Sequence, residues 1–187
     1  VISCTGATAS RNYLPGLTEA YYRKLPVLAI TSMPSPSKVG HNIAQIIDRS
    51  VLPKDAVQIS VSLPIVKDED DWWECEIKVN RAILELSRRG GGPVHINLPT
   101  VYSRCFDIRR LPDVRVVNRV VDTGTFPDLP EGRIAVFIGA HLSMLKNEVD
   151  LIDRFCESNN AVVFHDHTSN YTGKYGVMFS LVAGQQM

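Results

Sequence analysis

The sequence predicts an α/β protein with parallel sheets, on three observations. Short apolar runs that suit strands alternate with stretches whose apolar residues recur at helical spacing. A proline-containing stretch of weak pattern separates two such series. The composition, 44% hydrophobic and 21% charged, is typical of a chain with a buried core. We therefore expect a first unit at residues 1–99, a linker at residues 100–131 and the beginning of a second sheet at residues 132–187.

The first unit is predicted to alternate strands with helices from its first residue. Leu14, Leu17 and Tyr21 recur at spacings of three and four, whereas the run at 27–31 is continuously apolar, as in a strand buried on both faces. Acidic residues at 68–71 are typical N-terminal caps for the longest helix. In chain order we expect a strand at 1–4, a turn of small residues at 5–9, a helix at 10–24, a strand at 27–31, a loop at 32–38, a short helix at 43–50, a strand at 57–63, a helix at 68–88 and a strand at 94–98.

The second unit is predicted to contain a strand at 134–138, a helix at 143–158 and a strand at 161–164. This order is typical of a crossover between two parallel strands of one sheet. Both units therefore belong to the same predicted α/β class.

Charge and cysteine content favour a cytoplasmic protein without nucleic-acid or membrane partners. The chain has 20 basic and 20 acidic residues, and no basic stripe stands out. No signal peptide or apolar run of membrane length is present. Because Cys4, Cys75, Cys105 and Cys156 form no C-x-x-C pair, we expect reduced thiols. The chain opens at Val1 directly in an apolar run, which we interpret as a segment of a longer protein.

Few residues carry chemistry by pattern alone. The turn at 5–9 follows a predicted parallel strand and precedes a helix, where backbone N–H groups face a ligand in open α/β sheets; the alternative is that small residues only permit a tight turn. His165-Asp166-His167 lacks further ligands at matching spacing, and alternate residues of an extended chain point opposite ways, so we predict no metal ligands. His95, among apolar neighbours, is interpreted as a hydrogen-bonded structural residue.

Three motifs carry a family resemblance. They are C-T-G-A-T-A-S-R-N with the following helix to E-A at residues 4–20, L-P-V-L-A-I-T at residues 25–31 and G-P-V-H-I-N-L-P at residues 92–99. Together they resemble the pyrimidine-binding domain of thiamine diphosphate-dependent enzymes of the acetolactate synthase and decarboxylase superfamily. Within that superfamily the nearest likeness is to the SEPHCHC synthase family of menaquinone biosynthesis. From residue 132 onward, the likeness is only to the Rossmann-like start of the family's central domain.

The resemblance implies a function and a set of site residues. It implies thiamine diphosphate with Mg²⁺ in the intact enzyme, a small-molecule 2-oxo acid substrate, decarboxylation with carboligation, and a homodimer or homotetramer. Thr5, Gly6 and Ala7 would face the cofactor cleft. His41 and Gln45 lie where the synthases bring a glutamine or histidine to the cofactor or substrate; a solvent-facing loop and an ordinary helix start are the alternative.

Two departures from the family pattern limit what these residues predict. The family's catalytic glutamate would lie upstream of residue 1, and the G-D-G motif with its following N-N, which seats the diphosphate and magnesium, is absent; Asn159-Asn160 has no G-D-G before it. We therefore name no catalytic residue and no metal ligand, and expect this chain alone to be inactive and to bind no cofactor. A non-catalytic regulatory or interaction module that reuses the fold remains the alternative.

Overall fold

The structure, a computed structural model, describes residues 1–100, 107–121, 124–129 and 131–183. The chain divides into two compact units, residues 1–124 and residues 125–187, and the boundary lies inside the segment predicted as a linker. Each unit is a parallel sheet with helices packed on it, so the predicted α/β class is confirmed. Cys4, Cys75 and Cys156 are free thiols, whereas the prediction for Cys105 falls outside the described residues.

The sheet of the first unit has the strand order β1-β2-β4-β3, with every pairing parallel. Its register aligns Thr5 of β1 with Ser32 of β2, and Ser32 with Leu98 of β4, so the carboxyl ends of these strands share one edge. The elements of the unit are β1 (Ile2–Thr5), α1 (Ala7–Arg11), α2 (Tyr13–Tyr22), β2 (Leu28–Met33), a 3-10 turn (Pro36–Lys38), β3 (Ile59–Ser62), α3 (Glu69–Glu85), a second 3-10 turn (Arg88–Gly90) and β4 (Val94–Pro99).

Helix α3 covers one face of this sheet. It begins as predicted, because the Asp68 carboxylate accepts from the Asp71 backbone N–H at 2.9 Å and so caps the first turn. Ala82 of α3 is fully buried against Val94 and Ile96 of β4. Alternate residues of the same strands point to the other face, where Leu17 of α2 packs on Ala29.

The prediction of a short helix at residues 43–50 is wrong. No helix or strand forms there; a single backbone bond from the Ile46 N–H to the Ile43 carbonyl closes one isolated turn. Asn42 and Gln45 adopt φ of 53° and 63°, in the left-handed region, which a right-handed helix excludes. Gln45 and Arg49 instead make side-chain hydrogen bonds to residues at the carboxyl ends of β1 and β2. The segment is therefore a loop, and we call it the 40–50 loop.

In place of the single helix predicted at 10–24, the structure has the two helices α1 and α2. The chain leaves β1 through Gly6 alone and enters α1 at Ala7, so the turn is shorter than the expected stretch of five small residues. Asn12 then separates α1 from α2. The strand predicted at 27–31 runs on to Met33.

An extended segment, residues 114–119, lies along the outside of α3. The Asn80 side chain bonds two of its backbone groups: its Nδ2 donates to the Arg115 carbonyl at 2.8 Å and its Oδ1 accepts from the Val117 N–H at 2.8 Å. Arg119 donates to the Leu84 carbonyl at 3.1 Å and to Glu85 at 3.0 Å. Part of the segment predicted as a linker is therefore held on the first unit.

The second unit has the parallel strand order β5-β6-β7. Helix α4 packs on it through Cys156, which is buried with Ala161, Val163 and Tyr171. The helix starts at Lys146, after Leu145, whose N–H donates to Glu148 at 2.7 Å. The last strand and helix of the unit were not predicted. Its elements are β5 (Ile134–Ile138), α4 (Lys146–Asn159), β6 (Ala161–His165), β7 (Gly176–Met178) and α5 (Phe179–Val182).

Three aromatic rings of the second unit lie in contact and remain partly exposed to solvent. The centroid of Phe137 is 5.2 Å from that of Phe164 and 5.9 Å from that of Phe179, and the last two centroids are 5.8 Å apart. Phe137 remains 67% exposed and Phe179 46% exposed. We call these residues the aromatic triad.

Candidate functional site at the carboxyl edge of the first sheet

The candidate site is the turn between β1 and α1. Thr5 ends β1 at the carboxyl edge of the sheet and is exposed. Gly6 follows with φ 80° and ψ 161°, a conformation essentially restricted to glycine, and Ala7 begins α1. The Ala7 N–H is at the first position of the helix, so no carbonyl of the same helix can accept from it.

Gln45 supplies that missing acceptor. Its Oε1 lies 3.0 Å from the Ala7 nitrogen, although the two residues are 38 positions apart. A Cβ on Gly6 would also lie 3.0 Å from the same oxygen, so the turn is closely fitted to this side chain. The Nε2 group of Gln45 has no hydrogen-bond partner among the described residues, and the residue is exposed, so a donor faces solvent beside the turn.

The structure therefore brings together four of the five residues predicted from the sequence. Thr5, Gly6 and Ala7 form the turn, and Gln45 bonds it directly. His41 belongs to the same 40–50 loop and is exposed, but no hydrogen bond joins its side chain to the turn. The contact of these five residues with a cofactor stays a prediction.

Arg49 belongs to this site and was not predicted. Its side chain is 2% exposed, and its Nη1 and Nη2 donate to the carbonyls of Gly6 at 3.2 Å and Ser32 at 2.6 Å. Burial lowers the pKa of Arg49, since water no longer solvates the charge. The sequence offered no signal for it, because a single arginine near the end of a predicted amphipathic helix is typical of a solvated face.

A chain of buried and half-buried polar side chains crosses the sheet next to Arg49. The Thr31 hydroxyl lies 2.7 Å from His95 Nε2 and 3.3 Å from Asn97 Oδ1, and the Ser60 hydroxyl lies 2.7 Å from His95 Nδ1. One ring nitrogen of the neutral imidazole donates and the other accepts, so both are hydrogen-bonded. Burial, followed by the positive charge of Arg49, lowers the pKa of His95 from 6.5 to about 4. His95 is thus a neutral, hydrogen-bonded residue of the sheet, as predicted.

The second unit places the remaining candidates in structural roles. Asp166 accepts from the Thr168 N–H at 2.7 Å and from its hydroxyl at 2.6 Å, which closes a turn after β6. Within the ranges that the structure describes, no three His, Cys, Asp or Glu side chains are arranged to hold a metal ion. Asn160, with φ 50°, ends α4 as its left-handed cap. None of the described helices is long and apolar enough to cross a membrane.

The chemistry of this edge suits a polar heterocycle. A free amide donor and a sharply turned backbone lie side by side, and the turn is fixed by hydrogen bonds on the protein side. An aminopyrimidine ring presents both ring nitrogens and an amino group, which need donors and acceptors of this kind. No carboxylate takes part in the hydrogen bonds described at the turn.

Comparison with known proteins shows what the chain is similar to. No protein-family model matches the chain. The 2-succinyl-5-enolpyruvyl-6-hydroxy-3-cyclohexene-1-carboxylate (SEPHCHC) synthase of Bacteroides thetaiotaomicron is 36% identical over 119 residues, which is 63% of this chain and 21% of that protein. The same synthase of Phocaeicola vulgatus is 36% identical over 121 residues, with the same coverage of 63% and 21%. The chain is related to a segment of these synthases.

The predicted likeness to SEPHCHC synthases, and through them to the thiamine diphosphate-dependent superfamily, is thereby confirmed. A more distant SEPHCHC synthase, from Flavobacterium johnsoniae, is 24% identical over 180 residues, or 90% of this chain and 32% of that protein. The relationship therefore extends beyond the first unit. The chain spans about a fifth of the length of the first two synthases, 21% in each case.

Proposed function

We propose that this chain supplies one side of the cofactor cleft of a thiamine diphosphate-dependent enzyme that decarboxylates a 2-oxo acid and joins the product to an acceptor. The observation that carries this proposal is the bond from the Ala7 N–H to Gln45 Oε1, 3.0 Å long, at the edge of a sheet related to SEPHCHC synthases. When bound, the cofactor supplies an electron sink for cleavage of the carbon–carbon bond next to the carbonyl.

The residues of the chain would bind and orient the pyrimidine end of that cofactor. Gln45 would donate from Nε2, while Thr5, Gly6 and Ala7 would lie against the ring, and His41 would approach it from the 40–50 loop. The 187 residues contain no G-D-G motif, so we assign the diphosphate and its Mg²⁺ to residues outside this sequence, and expect the chain alone to be inactive. The cofactor would then lie between two subunits of a cytoplasmic homodimer or homotetramer.

The test is cofactor binding by the protein expressed from its complete reading frame, measured by calorimetry with Mg²⁺. The Gln45→Leu variant removes both the bond to Ala7 and the free donor, so we expect the Kd for thiamine diphosphate to rise at least tenfold. Gln58→Leu is the matched control. Gln58 directly precedes β3, the outermost strand on the side of the sheet away from β1. The Kd of this variant for thiamine diphosphate should stay within twofold of that of the unsubstituted protein.

Equal effects of the two substitutions would contradict the assignment of Gln45. Absence of thiamine diphosphate binding in the complete protein would contradict the proposed function itself, and would favour a non-catalytic module that reuses the fold.

A further inference from the structure

Arg49 is a buried charge in an unusual setting. It is 2% exposed, and among the described residues no carboxylate forms a salt bridge with it. Its Nε also has no hydrogen-bond partner in the part of the chain that the structure describes. Burial of a charge without an ionic partner is unfavourable, so the surrounding structure must hold Arg49 in this place.

Its two hydrogen bonds join separate parts of the site. The Gly6 carbonyl belongs to the turn after β1, and the Ser32 carbonyl belongs to β2, where Ser32 is aligned with Thr5. One planar guanidinium therefore joins the carboxyl ends of two neighbouring strands. The 40–50 loop, which contains Arg49, is thereby attached to the turn that Gln45 contacts.

Gln45 needs such an attachment. With φ 63° it lies in the left-handed region, which costs a residue of this type about 1 kcal/mol or more. The partly buried bond from the Ala7 N–H to Gln45 is the one hydrogen bond of the Gln45 side chain among the described residues. It contributes about 1 kcal/mol, which only offsets the backbone cost, so the bond alone does not hold the conformation. Arg49, four residues later, and Arg11, which donates to the Asp48 carbonyl at 3.2 Å, fix the far end of the loop.

We propose that Arg49 is a positioning residue: its fork on the Gly6 and Ser32 carbonyls holds the 40–50 loop so that the Gln45 amide stays at the Ala7 N–H. The meaning of this position for a cofactor rests on the proposed function, but the positioning itself does not. A purely structural arginine would instead stabilise the whole unit without a particular effect on Gln45.

Hydrogen exchange at the Ala7 amide separates the two roles, because Gln45 is the acceptor of this first helical N–H. Exchange would be measured by mass spectrometry with single-amide resolution on the protein expressed from its complete reading frame. Arg49→Met keeps much of the side-chain volume and removes the fork, so Ala7 should exchange at least tenfold faster. Arg49→Lys keeps a charge without the fork and should give an intermediate rate.

Two comparisons make this test decisive. In both Arg49 variants the amides of Ile96 and Asn97 in β4 should change less than threefold. Arg88→Met removes an exposed guanidinium from the same unit and should leave Ala7 exchange within twofold. The proposal is overturned if Ala7 in Arg49→Met stays within twofold of the unsubstituted protein, or if Ala7 and the β4 amides accelerate by the same factor. Should Arg49→Met fail to fold, Arg49→Lys is judged by the same two criteria.

Cofactor binding then links the positioning to function. If Arg49 acts through Gln45, Arg49→Lys should raise the Kd for thiamine diphosphate, and the Arg49→Lys/Gln45→Leu double variant should bind no more weakly than Gln45→Leu alone. Additive effects would show that Arg49 does not act through Gln45. If the complete protein binds no thiamine diphosphate, the proposed function fails while the exchange result still decides the role of Arg49.

Discussion

Gly6 shows how closely the conformation of one residue controls the candidate site. Its φ of 80° and ψ of 161° exclude an ordinary side chain, and a Cβ would lie 3.0 Å from Gln45 Oε1. We expect Gly6→Ala to lower the free energy of unfolding by roughly 1–3 kcal/mol and to displace Gln45. Urea denaturation followed by tryptophan fluorescence would measure this, because both tryptophans, Trp72 and Trp73, lie in α3 of the same unit.

Gly16→Ala is the matched control for that substitution. Gly16 lies inside α2, and among the described residues a Cβ there meets no atom within 4 Å apart from the backbone of its own helix. Alanine should therefore stabilise the helix by roughly 0.5–1 kcal/mol. A Gly6→Ala protein as stable as the unsubstituted one would mean that the turn tolerates another conformation.

His95 predicts a pH dependence of stability in the first unit. Its pKa is about 4 in the folded protein against 6.5 for an ordinary histidine, so the folded state binds fewer protons than the unfolded state between these values. Its contribution is therefore fully present above pH 6.5 and is lost as the pH falls toward 4. The loss amounts to about 3 kcal/mol.

The contribution of His95 is isolated by substitution. In His95→Gln, the free energy of unfolding should fall less steeply between pH 6.5 and 4 than in the unsubstituted protein, as reported by tryptophan fluorescence. His141→Gln changes an exposed residue of the second unit, whereas both tryptophans lie in the first unit, so the fluorescence curve should not change. Parallel curves for His95→Gln and the unsubstituted protein would show that His95 does not contribute to the pH dependence.

At the scale of elements, Asn80 of α3 holds the middle of the segment at 114–119, while Glu76 and Glu85 of the same helix bind Arg115 and Arg119. Asn80 makes two hydrogen bonds of 2.8 Å to the backbone of this segment, and each contributes about 1 kcal/mol. In Asn80→Ala we expect the Val117 amide to exchange at least tenfold faster, measured by hydrogen exchange. Asn147→Ala, an exposed substitution in α4, should leave Val117 unchanged; an equal rate in Asn80→Ala would show that other contacts hold the segment.

The elements also show which local signals predicted structure. The strand at β4 and the cap of α3 at Asp68 could be predicted because apolar residues that alternate along a strand and capping carboxylates both act over a few residues. The 40–50 loop could not, since its conformation depends on a hydrogen bond from the Ala7 N–H to Gln45 and one from Arg49 to the Ser32 carbonyl, between residues 38 and 17 positions apart. Periodic apolar residues there suggested a helix that long-range contacts override.

For the whole molecule, alternation of strands and helices was enough to predict the α/β class, because parallel strands need crossover connections. The strand order β1-β2-β4-β3 was not predictable from pattern, since it depends on which strands pair across the chain. Of the four site residues, Thr5 ends β1 and Gly6 and Ala7 follow it directly, and family resemblance supplied Gln45. Arg49 neither follows a predicted strand nor belongs to a motif of the family resemblance, so only the structure shows that it bonds the turn.

The aromatic triad has a practical consequence for the isolated chain. Phe137 at 67% exposure and Phe179 at 46% present adjoining rings to water, and such patches attract one another. Hydrophobic attraction weakens on cooling and strengthens in sulfate or phosphate. Purified samples should therefore scatter more light after warming or ammonium sulfate addition, and remain clearest when kept cold in chloride buffers.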